Sequence, residues 1–382
     1  MTSEEIEKLL QSPIFNFSLS SKELFHSNFI FWLCHCYPEQ LGRLFSKELG
    51  LEDENNIISN IKREKQNLDL QFQIGNCLVV VENKVKSLAN KNQLKEYSDP
   101  GYIKGDYSDK KFILLSLYKP DFIERGDLDT ACWRYYSYSD LLDKFISKLI
   151  VENEYHKLII NDYTKLLIFL TDTLKTEALN VDILSISQSE TSKALSSLRM
   201  SDIYQKIVFE KFKEKLERKV LATFDQVTNK NADIMLYSGL TNVQGLCGVR
   251  VKINNPFISD FYLGIQIQAN QYRYYAECHS RKSVIELISI ELCKSEYWFS
   301  FAHFKDKFKI YPINNSSKSE IRFNEFGKNN SEDKGVFKYR YAKLDNLVTN
   351  SDELVELIIA DLKMLFDNES QVVRVINDKC SE

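Results

Sequence analysis

A short apolar run that ends in three polar residues, Leu78–Val81 followed by Glu82, Asn83 and Lys84, most constrains the fold of this chain. A fully apolar run of this length is typical of a strand that is buried on both faces of a sheet. Side chains two residues apart on a strand share a face, so Glu82 and Lys84 point the same way. Charged side chains rarely end a buried strand unless other charged groups lie beside them. We therefore expect an ionic site at the end of a central strand.

A second carboxylate, Asp69, lies in the preceding segment, where apolar and polar residues alternate. Such alternation predicts a strand with one apolar and one polar face, and Gly75-Asn76 predicts a tight turn before the central strand. Two carboxylates and a lysine on neighbouring strands are groups that hold Mg²⁺ and position a water against a phosphate. The sequence therefore predicts a metal site for phosphoester hydrolysis around Asp69, Glu82 and Lys84.

Five short motifs follow one another over about residues 20–145. They are Glu23-Leu24-Phe25-His26-Ser27, Arg63-Glu64, Asp69-Leu70, Val79–Lys84, and Gln93-Leu94 with Tyr97. In this order they resemble the PD-(D/E)XK nuclease superfamily, and closely its bacterial branch with ELFHS, DL, ENK and QL motifs. One departure is Leu68, which stands where the superfamily name has proline. The resemblance implies an α/β (α+β) fold with a restriction-endonuclease-like core, in which helices flank a mixed central sheet.

The resemblance also implies roles for single residues. Asp69 and Glu82 would ligate Mg²⁺, with Mn²⁺ as a substitute, and the backbone carbonyl of Asn83 would complete the set. Lys84 would orient or deprotonate the attacking water and stabilise charge on the phosphoryl oxygens, and the sequence does not decide between these roles. Glu23 would ligate the metal directly or through water. The alternative for Glu23 is a carboxylate that the helix dipole favours near a helix N-terminus.

Other residues are candidates for substrate binding or for support of the site. Gln93 would reach the site or the nucleic-acid backbone, and Tyr97 on the same helix face would stack or bind phosphate. The alternative is an exposed polar helix with a half-buried Tyr97. His26 would contact substrate or steady the acidic residue of its helix, or it is a packed, hydrogen-bonded histidine. Arg63 and Glu64 would bind phosphate and support the metal ligands, or form a structural ion pair.

The length of 382 residues predicts two domains. We predict a nuclease domain over residues 1–182, a serine-rich connection over 183–201, and a C-terminal α+β domain over 202–382 with an antiparallel sheet. The second domain has an unknown recognition or regulatory role. Its many aromatic residues indicate core and cross-strand pairs, and a base-stacking platform is the alternative.

Periodicity places the elements of both domains. In the first, strands are predicted at about 57–65, 68–74, 77–84, 111–117 and 133–137, and helices at about 4–10, 20–36, 39–49, 89–98, 138–149 and 153–180. In the second, strands or strand pieces are predicted at about 233–238, 246–253, 260–269, 272–279, 297–302 and 337–341, and helices at about 202–221 and 351–366.

The formal net charge of −4 and the pI of about 5.9 exclude a protein that coats nucleic acid by its overall charge. A local patch remains, because seven lysines and four acidic residues lie between Lys84 and Lys111. This patch is either a track for phosphates or a solvated helix and loop.

No apolar run approaches the ~20 residues of a membrane span, and Met1 precedes a polar, acidic segment unlike a signal peptide. With scattered cysteines that indicate free thiols, these features predict a cytoplasmic protein without membrane partners.

Two function hypotheses stay open. The first is a metal-dependent nuclease, a DNA endonuclease in preference to one for RNA, which the resemblance connects with bacterial anti-phage defence. The second is a nucleic-acid-binding or regulatory effector subunit on a nuclease scaffold, latent without a partner or signal. Nucleic acid is the expected partner in both, and a homodimer or a defence-complex partner is left open. The complete set of Asp69, Glu82, Lys84 and Glu23 favours the enzyme.

Overall fold

The computed structural model describes residues 3–20, 22–51, 56–105, 107–126, 132–186, 190–224, 234–241, 244–278, 284–301, 336–344 and 347–381. The chain folds into two compact units. The first comprises residues 1–180 and 190–207, and the second comprises residues 181–189 and 208–382. The sequence-based boundaries at residues 182 and 202 stay predictions. Residues 190–207 group with the first unit, although the sequence analysis assigned them to the connection and the second domain.

The first unit is built on a five-stranded mixed sheet with the strand order β1-β2-β3-β4-β5. Strands β1, β2 and β3 pair antiparallel, whereas β4 and β5 continue the sheet in parallel. This arrangement confirms the five predicted strands and the mixed sheet. The strands are β1 (Ile58–Lys65), β2 (Leu68–Ile74), β3 (Cys77–Lys84), β4 (Asp109–Ser116) and β5 (Trp133–Ser137).

Helices form the rest of the first unit and confirm the predicted helical segments. Two of them are less regular than predicted, because π-helical turns occur at Leu141–Phe145 and Phe169–Lys175. The helices are α1 (Ser3–Gln11), α2 (Pro13–Ser18), α3 (Lys22–Cys36), α4 (Pro38–Leu49), α5 (Lys91–Ser98), α6 (Asp121–Glu124), α7 (Tyr138–Asp140), α8 (Glu154–Ile168), α9 (Thr176–Asn180) and α10 (Glu190–Ser197). Of these, α2, α6 and α10 were not predicted.

Both faces of this sheet are covered. On one face, Leu78 and Val80 pack in a cluster with Leu94 and Tyr97 of α5. On the other face, α3 and α4 pack on the strands, and the ring of Phe45 lies 5.1 Å from that of Phe72. Strand β3 is consequently buried from Cys77 to Asn83. Its polar end therefore enters a region that is largely closed to solvent, as the uninterrupted apolar run predicted.

The second unit contains a fully antiparallel five-stranded sheet with the strand order β10-β9-β8-β7-β6. Its elements are α11 (Ser201–Phe224, which begins in the first unit), β6 (Ile234–Thr241), β7 (Gln244–Lys252), β8 (Phe261–Gln268), β9 (Gln271–Cys278), α12 (Ile285–Lys294), β10 (Val336–Lys343), α13 (Ser351–Asp367) and α14 (Glu369–Ser381). The antiparallel sheet is confirmed. Helices α12 and α14 were not predicted.

Two expectations about the second unit have clear outcomes. The predicted strand piece at 297–302 is wrong over its described residues, because residues 297–301 form no strand. Its apolar character has another cause, since Trp298 and Phe299 are fully buried. The interpretation of the aromatic residues as core is confirmed by six that are at most 1% exposed: Phe261, Tyr272, Tyr274, Tyr275, Trp298 and Phe299.

Candidate active site

The two predicted carboxylates lie on neighbouring antiparallel strands. Leu70 on β2 pairs with Val81 on β3, which places Asp69 beside Glu82. The backbone N–H of Asn83 donates a hydrogen bond of 2.7 Å to Oδ2 of Asp69. Because this donor belongs to the rigid central strand, it fixes the orientation of the Asp69 carboxylate.

Glu82 and Lys84 share one face of β3, as the two-residue period predicted. The Lys84 Nζ lies 2.7 Å from Oε1 of Glu82, and Glu82 is only 2% exposed. The second oxygen, Oε2, is buried and has no hydrogen-bond partner among the described residues. A buried carboxylate oxygen without a partner is costly, by roughly 2 kcal/mol or more. This oxygen of Glu82 can therefore accept one more cation or hydrogen-bond donor.

The pKa values of the site residues also indicate that positive charge is lacking here. Burial raises the pKa of Asp69, and the carboxylates of Glu23 and Glu64 add to the effect, while the Asn83 N–H and Lys84 oppose it. Burial raises the pKa of Glu82 to about 7, and the charge of Asp69 contributes. Burial acts to lower the pKa of Lys84, but the neighbouring carboxylates outweigh it and the pKa is raised. Negative charge is therefore in excess here, which suits a divalent cation.

Glu23 reaches the region from α3 and is held by the segment that follows β3. Its Oε1 accepts a hydrogen bond of 2.6 Å from the Ser87 N–H and another from the Ser87 hydroxyl. Its charge still acts on the pKa values of Asp69 and Glu82. Within the described residues, no three His, Cys, Asp or Glu side chains are arranged to hold a metal ion. A pair of carboxylates is enough for Mg²⁺, which usually keeps several water ligands.

The side chain of Asn83 points to the opposite face of β3 and does not face the carboxylates. Its Nδ2 donates to the backbone carbonyl of Glu23 and to the Ser27 hydroxyl, both at 3.0 Å. Its Oδ1 accepts a hydrogen bond from the Tyr138 hydroxyl. Asn83 therefore ties the central strand to α3 and α7, while its backbone faces the predicted metal site.

Gln93 and Tyr97 form a connected pair on α5. The Gln93 Nε2 donates to the Tyr97 hydroxyl at 2.7 Å, and that hydroxyl donates to the Asn67 carbonyl at 3.0 Å. Tyr97 is 4% exposed, so it is more buried than the half-buried alternative expected. The charges of Glu82 and Lys84 both act on the pKa of Tyr97, which burial raises. The pair therefore lies beside the site, with Tyr97 fixed by its neighbours.

His26 does not face the carboxylates. It is 1% exposed, and its Nδ1 lies 2.9 Å from the Tyr163 hydroxyl. The rings of His26 and Tyr138 are 5.2 Å apart in an edge-to-face arrangement. Burial lowers the pKa of His26 to about 3, so the ring is neutral in the folded protein. This geometry is that of a packed, hydrogen-bonded histidine.

Arg63 and Glu64 lie on β1 and are exposed. The Arg63 Nη1 donates to Oδ1 of Asn28, and the guanidinium lies 4.5 Å from the ring centroid of Phe31. In the part of the chain that the structure describes, Arg63 and Glu64 form no ion pair with each other. The charge of Glu64 acts on the pKa of Asp69. Glu64 therefore belongs to the surroundings of the site, and Arg63 packs against α3.

Lys86 was counted in the lysine patch by the sequence analysis, but Lys22, Asp202 and Lys206 near Glu23 were not singled out. Asp202, in the first turn of α11, forms an ion pair with Lys22 and lies 3.4 Å from the Lys86 Nζ. Burial lowers the pKa of Lys206, and the charges of Glu23 and of Lys86 also act on it. No local motif signals Asp202 and Lys206, because both lie more than a hundred positions after the ENK segment.

Comparison with known proteins supports the resemblance. Residues 13–175 match the family model of the PD-(D/E)XK nuclease superfamily. Comparisons with curated proteins and with solved structures gave no match. All predicted site residues, from Glu23 to Tyr97, lie within the matched span, whereas Asp202 and Lys206 lie beyond it. Among the described helices, none is both long and apolar enough to cross a membrane.

Proposed function

We propose, from the premise that residues 13–175 belong to the PD-(D/E)XK nuclease superfamily, that this protein is a metal-dependent nuclease acting on DNA. One observation carries the proposal beyond the family. The Glu82 carboxylate, beside Asp69 and 2.7 Å from Lys84, keeps one buried oxygen without a partner. A structural ion pair would be expected to use both oxygens, whereas a metal ligand must keep one for the ion.

Asp69 and Glu82 would hold Mg²⁺, or Mn²⁺ in its place, with the Asn83 carbonyl as a further oxygen donor. When bound, the metal would act as a Lewis acid on the phosphoryl oxygens and lower the pKa of a water ligand. The chain's own groups do the rest. The Asn83 N–H fixes Asp69, and Glu82 fixes the Lys84 ammonium. Lys84 then orients the attacking water and offsets negative charge that develops on the phosphate.

Glu23 and Gln93 have supporting roles in this proposal. Glu23 holds the segment after Lys84 through Ser87 and adds negative charge near the metal ligands. Gln93, fixed by Tyr97, would contact the nucleic-acid backbone. Preference for DNA over RNA, an endonucleolytic cut, a cytoplasmic location and a role in defence against phage rest on the resemblance. A homodimer or a defence-complex partner is left to experiment.

The test is incubation of the purified protein with supercoiled plasmid, linear DNA and RNA in Mg²⁺, Mn²⁺ or EDTA. We expect metal-dependent nicking or linearisation of the plasmid, reduced about 10³-fold or more by Lys84→Ala because charge stabilisation and water positioning are lost. Lys157→Ala is the matched control, since it removes an exposed lysine of α8 that pairs with Glu154 and lies outside the lysine patch.

The outcomes separate the two function hypotheses. Full activity of Lys84→Ala, or cleavage in EDTA, would contradict the proposed site. Binding without cleavage of any substrate would favour the latent nucleic-acid-binding subunit.

A further inference from the structure

A cavity of about 310 Å³ adjoins the candidate active site on the side of Glu23. Three of its lining residues carry positive charge, and Glu23 is shared with the active site. The lining residues are Leu19, Ser20, Lys22, Glu23, Lys86 and Arg199. Most of this lining comes from α3 and its approach and from the segment after β3, but Arg199 lies beyond the span that matches the nuclease superfamily.

The backbone around Arg199 gives an independent reason to look for a function. Arg199 has φ = 57°, in the left-handed region, and lies two residues after the end of α10 at Ser197. Its N–H donates to the Ser196 carbonyl, and the Met200 N–H donates to the Leu195 carbonyl, which is the pattern of a Schellman motif. Glycine is strongly preferred at the left-handed position of this motif, because a side chain there costs about 1 kcal/mol. Folding alone therefore does not favour an arginine at this position.

The charges around the cavity are arranged by Asp202. One carboxylate oxygen binds Lys22, whose side chain is 9% exposed, and the other lies 3.4 Å from Lys86, which is 49% exposed. Lys22 also donates to the Arg199 carbonyl, which links α3 to the end of α10. Arg199 itself is exposed. Lys22 is thus an internal structural cation, whereas Lys86 and Arg199 keep surface that a ligand can reach.

Lys206 adds a further positive charge to this side of the site. It is near enough to Glu23 and Lys84 for their charges to act on its pKa, which burial lowers. The surroundings therefore contain four basic residues against the two carboxylates of Glu23 and Asp202. An anion is the ligand that such an excess favours, and arginine and lysine are the usual contacts of nucleic-acid phosphates.

We propose that this cavity is a second phosphate subsite, which binds a backbone phosphate of the nucleic acid next to the one that is hydrolysed. Arg199 and Lys86 contact the phosphate, and Asp202 positions Lys86 and Lys22. The inference rests on the proposed function and deepens it, because it assigns substrate binding to residues outside the superfamily match. The subsite would hold the strand in register while Lys84 acts on the neighbouring phosphate.

The test measures binding of a short fluorescein-labelled DNA duplex, and of the same sequence as RNA, in Mg²⁺ as the salt concentration is raised. All proteins carry Lys84→Ala to prevent cleavage. Adding Arg199→Gly should weaken binding about tenfold and reduce the slope of log K against log salt by about 1. Arg199→Lys should recover most of the affinity. Arg43→Ala, which removes an exposed arginine that lines a different cavity, should bind as the parent does.

The melting temperature separates a ligand contact from a structural role. Because glycine suits the left-handed backbone, Arg199→Gly should melt at the same temperature as the parent or higher. A lower melting temperature together with weaker binding would instead overturn the subsite, since both would follow from a damaged fold. Lys86→Ala provides a second variant that leaves the backbone of α10 untouched.

The subsite and the nuclease proposal fail in different ways. Unchanged binding by both Arg199→Gly and Lys86→Ala, or no binding of either nucleic acid by the parent, would overturn the subsite. Weaker binding by these variants, combined with an otherwise wild-type chain that cleaves nothing, would retain the subsite and reject the nuclease. Cleavage by the wild-type chain, together with unchanged binding by the variants, would retain the nuclease and reject the subsite. A preference between the DNA and RNA probes would identify the substrate that the subsite serves.

Discussion

The two sheets of this protein both bury charged side chains, but they treat them differently. In the first unit, Glu82 is 2% exposed and one of its oxygens has no partner. In the second unit, Arg273 on β9 is 7% exposed, and its guanidinium is engaged on several sides. Its Nη1 donates to Gln266 at 3.0 Å and to Gln268, and its Nε donates to Gln271 at 2.8 Å.

The comparison shows how a buried charge distinguishes structure from chemistry. A network in which the buried polar atoms have partners stabilises a fold, and nothing is missing from it. A carboxylate that keeps a buried oxygen unpaired weakens the fold unless another group binds there. On this criterion Arg273 is structural, whereas the Glu82 region has the character expected of the candidate site. Both sides of this contrast can be tested, the structural side by substitution and the candidate site by metal binding.

The largest expected effect is on the structural side. Arg273→Ala should lower the free energy of unfolding of the second unit by about 3 kcal/mol, because three glutamine oxygens lose their buried donor. Denaturant titration measures this effect. Arg374→Ala is the control, since that arginine is 83% exposed on α14 of the same unit. An Arg273→Ala variant as stable as the control would mean that the network does not stabilise the fold.

A second prediction concerns His26, the satisfied buried group of the first unit. Burial lowers its pKa from 6.5 to about 3. Between these two values the histidine is protonated in the unfolded chain and neutral in the folded chain. The contribution of neutral His26 to the free energy of unfolding should therefore be fully present above pH 6.5. It should fall as the pH drops, with a loss of about 2 kcal/mol at about pH 5. His26→Gln should start from a lower stability but lose this share of the acid dependence. Parallel slopes for the two proteins would contradict a neutral, buried His26.

The smallest predicted effect tests the unpaired oxygen. Excess Mn²⁺ should raise the melting temperature of the wild-type chain. The corresponding gain in the free energy of unfolding is about 1.4 kcal/mol for a metal concentration tenfold above the Kd. Glu82→Gln should lose this gain relative to its own metal-free stability. Glu277→Gln, which changes a carboxylate paired with Arg250 at 2.8 Å in the second unit, should retain it. An equal metal response from Glu82→Gln would place the cation elsewhere.

Much of the first unit follows from short-range patterns. Strands β2 and β3 are set by an alternating and a continuous apolar segment, and the turn at Gly75 has φ = 56° as a tight turn requires. The same periodicity places Glu82 and Lys84 on one face. Asp69 joins them because the antiparallel register allows little choice once the turn is fixed. For this reason the relative positions of these three residues of the candidate site could be predicted from sequence.

The surroundings of the site could not be predicted in this way. Arg199 comes from a segment whose serine-rich composition indicates only a connection, yet Leu195 and Met200 within it are fully buried. Asp202 lies at the start of the helix predicted at 202–221, where periodicity gives no sign of its partners. Contacts such as Asp202 with Lys22 are long-range in sequence and leave no periodic signal. In the second unit, Trp298 and Phe299 combine strand-like composition with an irregular backbone, since burial and not pairing selects them.

The alternation of side chains through Glu82, Asn83 and Lys84 has a consequence for genetics. Because Asn83 bonds to α3 and to Tyr138 on the far face, its replacement should deplete the protein from the cell by unfolding and proteolysis. Replacements on either side of it should leave an abundant chain that still occupies its substrate. If the protein acts as proposed, alleles at positions 82 and 84 should be dominant-negative. Alleles at position 83 should be recessive. Three adjacent codons would thus distinguish loss of the protein from competition by an abundant inactive protein.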